Sequence, residues 1–165
     1  YYVSDIRDKF PDEIEEDALD TQKYVVAQIQ ECYSRAVRYY QIDTEAVIDE
    51  LFDTIESSSA TSSNPADYID AHSLEYRELT YYGQYSLSYI FNKFIDGEQT
   101  ELRGQLMRIL LDDLAPEAKL RLYAETGQEY FDEWAKGAVQ VLEQHDMDWV
   151  KENQPAMWIY LQMVE

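Results

Sequence analysis

The sequence predicts an all-α protein, a single-domain bundle of about five to seven helices. Three observations carry that expectation. Glycine (5) and proline (4) are scarce among 165 residues, whereas a β-sandwich or barrel needs turn signals roughly every ten residues. Apolar residues recur three and four positions apart over long stretches. No stretch sustains the strict alternation of a strand, and the Asp96-Gly97 pair that could turn a hairpin reads better as a helix-to-helix loop. A chain that is 45% hydrophobic and 14% aromatic has ample material for a core, and at this length it buries roughly 70% of its unfolded surface.

The elements follow in order. Pro11 suits a first helical turn, and Asp12, Glu13, Glu15, Glu16 and Asp17 crowd behind it, where a helix dipole favours acids. That helix runs to about residue 41 on a stripe of Val25, Ile29, Cys32 and Ala36, which makes Cys32 a small buried apolar residue. Asp43 caps a second helix striped by Val47, Ile48, Leu51, Phe52 and Ile55. "SSSATSSN", residues 57–64, reads as a flexible loop. Asn64 and Pro65 then open helical sequence with a break near Ser73, continuing to Gly97. Thr100 starts a helix striped by Leu102, Leu106, Ile109, Leu110 and Leu114, and Ala115-Pro116 ends it. The next carries Leu120, Leu122, Tyr123, Tyr130, Phe131, Trp134, Val139 and Leu142, with Gly127 as a break. A last segment holds Trp149, Trp158, Ile159, Leu161 and Met163, restarting at Pro155.

Charge narrows the partners. With 34 acids against 13 bases the net charge is −21. Nucleic acid and anionic lipid repel such a chain, because both are bound through Lys and Arg. An acidic intracellular regulator, such as a DNA mimic or an inhibitor of a basic partner, fits the same charge. A solvated, soluble acidic face is the plainer reading.

Dedicated chemistry is hard to find. One cysteine forms neither an internal disulfide nor a zinc-thiolate cluster. His72 and His145 lack the Glu-x-x-His order of a di-iron bundle, and no His-Glu-x-x-His occurs. Nucleophile elbows and phosphate-binding glycine loops are missing too. Residues 12–17 lack the spacing of a calcium loop. Among so many acids no carboxylate pair stands out for hydrolysis. No catalytic residue, metal ligand or cofactor is therefore assigned.

"LTYYGQYSLSYIFNKF", residues 79–94, is the most distinctive stretch. On one continuous helix, Tyr76, Thr80, Gly83, Leu87, Ile90, Phe91 and Phe94 share a core face. Gly83 marks a spot where another helix can come close. Tyr81, Tyr82, Tyr85 and Tyr89 fall on the opposite face beside Glu78, Asn92, Lys93 and Asp96. Two readings of those four tyrosines stand open: a central helix covered on both sides, with rings packed and hydroxyls bonded, or an exposed ridge that binds a partner.

Residues 79–91, with "DGEQTELRGQLM" (96–107) and "TGQEYFDEW" (126–134), resemble helical extracellular segments of clostridial membrane regulators of the BlaR antirepressor-peptidase type. The similarity covers about a third of the chain and only the non-catalytic part of that family. It implies an exported sensor or accessory domain of a Gram-positive bacterium and transfers no catalytic residue.

The first residue is Tyr1, not Met, which leaves room for an upstream signal peptide or membrane anchor. No apolar run approaches the roughly 20 residues of a transmembrane helix. The function expected is thus a non-enzymatic, extracellular helical domain that senses a small ligand or binds a protein. The alternatives are an enzyme of unrecognised type with carboxylates in a helical cleft, and the acidic intracellular regulator.

Overall fold

A computed structural model describes residues 25, 27–32, 34–35, 43–58 and 62–165. The chain divides into two compact units, Tyr1–Asp43 and Thr44–Glu165. Residues 25, 27–32 and 34–35 of the first unit are helical. Its Arg35 pairs with Glu31 at 2.9 Å, one turn away. Cys32 is exposed rather than buried, and its sulfur accepts from Arg35 Nη2 at 3.3 Å. The helix start at Pro11, the acids 12–17 and the middle of the Ser-rich segment lie outside the described residues.

The second unit is all helical among its described residues. Eight α-helices follow one another: α1 (Thr44–Glu56), α2 (Pro65–Ala71), α3 (Ser73–Tyr81), α4 (Gln84–Asp96), α5 (Leu102–Leu114), α6 (Gly127–Gln144), α7 (Met147–Asn153) and α8 (Pro155–Met163). A single 3-10 turn, Pro116–Ala118, follows α5. The number exceeds the expected range because the backbone breaks more often than the apolar stripes do. His72 separates α2 from α3, and Gln154 separates α7 from α8 just before Pro155. Residues 119–126, expected to be helical, are not; α6 begins only at Gly127.

Caps explain where several helices start. Asn64 Oδ1 accepts from Ala66 N–H at 3.1 Å, with Pro65 at the first helical position. Thr126 Oγ1 accepts from Glu129 N–H at 3.1 Å, and Asp146 Oδ1 from Trp149 N–H at 2.9 Å. Each cap satisfies a donor that the first turn leaves open.

Gly83 ends the idea of one continuous helix through the tyrosines. It is buried at φ 51°, ψ −112°, a conformation that a Cβ strongly disfavours. The chain turns there and α4 starts afresh. A close approach through glycine lies where the first turns of α5 and α6 meet. A Cβ on Gly127 would stand 2.1 Å from the Gly104 carbonyl oxygen, and one on Gly104 would stand 2.1 Å from that of Gln99. Gln128 seals the junction. Its backbone N–H donates to Gln99 O, its Oε1 accepts from Gln99 N–H, and its Nε2 donates to Phe94 O.

The core has two neighbouring parts. Ile48, Phe52 and Ile55 of α1 are buried together with Leu79, Ile90, Leu106 and Leu110. Phe91, Phe94, Phe131, Trp134 and Tyr160 form an aromatic cluster of α4, α6 and α8. Phe94 and Phe131 stack at 4.7 Å, and Tyr160 meets Phe91, Phe131 and Trp134 edge-on. Such offset and edge contacts suit the ring quadrupoles.

Candidate functional site: an apolar groove beside a tyrosine–carboxylate framework

The four tyrosines singled out in the sequence differ in burial. Tyr89 is 3% exposed, so it offers no area to a partner. Tyr81, Tyr82 and Tyr85 are half-buried, and Tyr82 and Tyr85 pack against the core. The cause is the break at Gly83 together with the position of α4, which is packed by α1, α5 and α8 and so buries residues on more than one side. Tyr82 donates its hydroxyl to Glu78 one turn back.

Tyr89 belongs instead to an ion-pair hub that the sequence reading missed. Its ring stacks on Phe52 at 5.5 Å. Its hydroxyl donates to Asp49 Oδ1 at 2.5 Å and accepts from Arg103 Nη1 at 2.8 Å. Arg103 also donates to Asp49 at 3.1 Å, to both oxygens of Glu56 at 2.9 and 2.8 Å, and to Asp53. Its guanidinium lies over the Phe52 ring. One arginine of α5 thus gathers three acids that recur every three to four residues along α1. That spacing was the available signal, since 49, 53 and 56 share a helix face. The hydrogen bond from Tyr89, with help from Arg103 against the opposing effect of burial, holds the Asp49 carboxyl below its ordinary range.

The same pattern repeats on the far side of α5. Tyr130 donates to Asp112 Oδ1 at 2.5 Å and accepts from Leu120 N–H at 2.9 Å, with Arg108 over its ring. Tyr76 donates to Asp113. Burial pushes the Asp112 carboxyl up, and burial plus the Asp112 contact pushes the Tyr130 phenol up to about 12. Each of these carboxylates accepts a hydrogen bond from a phenol, and none of Asp49, Asp112 and Asp113 lines either of the two depressions described below.

The histidines are apart from one another. His72 Nδ1 is 3.6 Å from Glu75 Oε1, and His145 stacks on Trp149 at 3.5 Å. Among the described residues no group of three or more His, Cys, Asp or Glu is placed to hold a metal ion.

What the second unit does present is an apolar groove of about 650 Å³ between α4, α6 and α8. Phe94, Phe131 and Tyr160 of the aromatic cluster form its floor. Ile95, Val139 and Val164 line it and are 44%, 46% and 46% exposed. Half of the six exposed large hydrophobic residues among the described residues are therefore gathered at this one place. Its polar edge is acidic. Asp132 and Glu143 line it, and Lys136, the only cation there among the described residues, is paired with Glu133 at 2.9 Å. A second, smaller depression shares Asp132 and Lys136 and adds Glu129, Glu133 and Tyr123, which is 87% exposed. The sequence places Phe131 and Val139 among the apolar residues of one helix and does not separate buried from exposed members. Only assembly of three helices leaves its outer end uncovered.

No protein-family model, no curated protein and no solved structure matches the chain. No helix among the described residues is long and apolar enough to cross a membrane.

Proposed function

We propose that this protein is a non-enzymatic interaction domain, and that the groove of α4, α6 and α8 is where it holds a protein partner. The observation that carries the reading is the clustering of Ile95, Val139 and Val164 around an aromatic floor. Scattered exposed apolar residues need no explanation, but a contiguous rimmed patch marks a contact surface. The rest of the chemistry points the same way: the carboxylates with shifted pKa sit in structural networks with tyrosine and arginine. The resemblance to extracellular segments of BlaR-type regulators adds an exported, sensor-associated setting in a Gram-positive bacterium.

The test is co-purification after chemical cross-linking in cells of the source organism. Tagged wild type and Leu74→Asn should recover the same partner, because Leu74 is exposed away from the groove. The double variant Ile95→Asn/Val139→Asn should lose it. Recovery of the same partner by the double variant would refute the groove as the contact surface. Fractionation of the same cells tests export, which fails if the chain stays in the cytoplasm.

A further inference from the structure

We infer that the occupant of this groove is a basic amphipathic helix of a partner protein, with its apolar side on the Phe94–Phe131–Tyr160 floor and its Lys or Arg side chains on the acidic edge. The inference rests on the interaction reading above and specifies the chemistry of the partner. Two features of the groove select a helix. It runs along α6 from Asp132 to Glu143, about 16 Å at helical rise, which matches about three turns of an incoming helix. Its apolar side chains are spread along that length, which suits anchors at i, i+3, i+4 and i+7. Among the described residues there is also no sheet edge that an extended peptide could join.

Charge selects the sign. Asp132 and Glu143 stand at the groove without an ion-pair partner among the described residues, and the charge of Lys136 is met by Glu133. Glu129 and Glu133 continue the acidic edge round α6. Cations flanking the apolar face of a partner would find complementary potential along the whole helix. A second copy of this chain would instead bring its own net charge of −21 against an acidic edge, a repulsive pairing.

The experiment uses the full chain and three synthetic peptides of about 15 residues in about 0.15 M salt. The first carries Leu at helical spacing and Lys elsewhere. The second has the same composition in scrambled order. The third replaces Lys by Glu. Calorimetric titration should find the Lys/Leu helix bound at least about ten-fold more tightly than the scrambled peptide. Ile95→Asn/Val139→Asn should weaken it by a similar factor, and Leu74→Asn should leave it unchanged. Equal binding of the scrambled peptide, or unaltered binding to the double variant, overturns the inference, because charge alone would then account for it. Tight binding of the Glu/Leu helix that the double variant loses overturns the basic partner but leaves the groove as an interaction surface. Failure of all three peptides overturns the helical occupant, and the co-purification experiment separately decides the broader reading. Sedimentation that detects a dimer abolished by the double variant would replace the helix with a second copy.

Discussion

Arg103 is the residue on which most of α1 depends. Its side chain is 19% exposed and serves Asp49, Asp53, Glu56 and Tyr89 at once. Arg103→Ala leaves three acids facing one another in a partly dry site, and should cost about 2–3 kcal/mol in denaturant unfolding. Arg103→Lys should recover less than half of that, since an ammonium cannot form the paired contacts of the guanidinium fork. Tyr89→Phe removes only the bridging hydroxyl and should cost about 1–2 kcal/mol. The phenols also set a pH limit. Tyr76, Tyr89, Tyr130 and Tyr160 all have pKa values raised by burial above the ordinary 10.0, Tyr130 to about 12. A raised folded pKa contributes stability that is complete below the unfolded value and is lost as pH rises through the folded one. Stability should therefore decline from about pH 10 upward. Absorbance at the tyrosinate band should rise in two phases, the second coinciding with loss of helical circular dichroism. A single phase near pH 10, with the helices intact, would contradict the buried phenol networks. On the acid side Asp49 works in the opposite sense: its lowered pKa gives stability above the unfolded value that is lost as pH falls through the folded one.

At the scale of elements, glycine positions separate packing from conformation. Gly127→Ala would drive a Cβ to 2.1 Å from a backbone oxygen that cannot rotate away. It should cost about 3 kcal/mol or more, the upper range for overpacking. Gly137→Ala, in the same helix, meets nothing nearer than Met157 Cε at 4.0 Å and should stabilise α6 by about 0.5–1 kcal/mol. Thermal melts of the two variants should thus move in opposite directions. Gly83→Ala is a third case, in which the strain comes from φ 51° and should cost about 1–3 kcal/mol. These three glycines also mark how far the sequence could be read. The stripe of α1, the cap at Asn64-Pro65, the stop at Gly97 and the boundary at Ala115 were legible because each is local chemistry. The stretch around residues 79–94 was not, because a helical projection assumes continuity, and one glycine at positive φ removes it. The α5–α6 crossing was illegible for a different reason: Gly104 and Gly127 are distant in sequence, and nothing local pairs them.

On the scale of the whole molecule, the second unit keeps its polar networks around α5 and its exposed apolar surface at the outer end of α6. The tyrosines around Gly83 stand out in the sequence, yet Tyr89 is spent on the hub with Arg103, while the exposed apolar residues of the groove are ordinary aliphatic ones. Ile95, Val139 and Val164 carry no local mark of exposure in the sequence. Their exposure follows from where α4, α6 and α8 end, which is a tertiary fact. If the groove meets a partner, a reactive group placed in it must reach that partner. The most direct measurement is photo-cross-linking in cells of the source organism, with a benzophenone amino acid placed at Val139 or, separately, at Leu74. Position 139 should give a discrete adduct and position 74 none, although Leu74 is the more exposed of the two. Adducts of equal yield from both positions, or none from position 139, would contradict a partner in the groove.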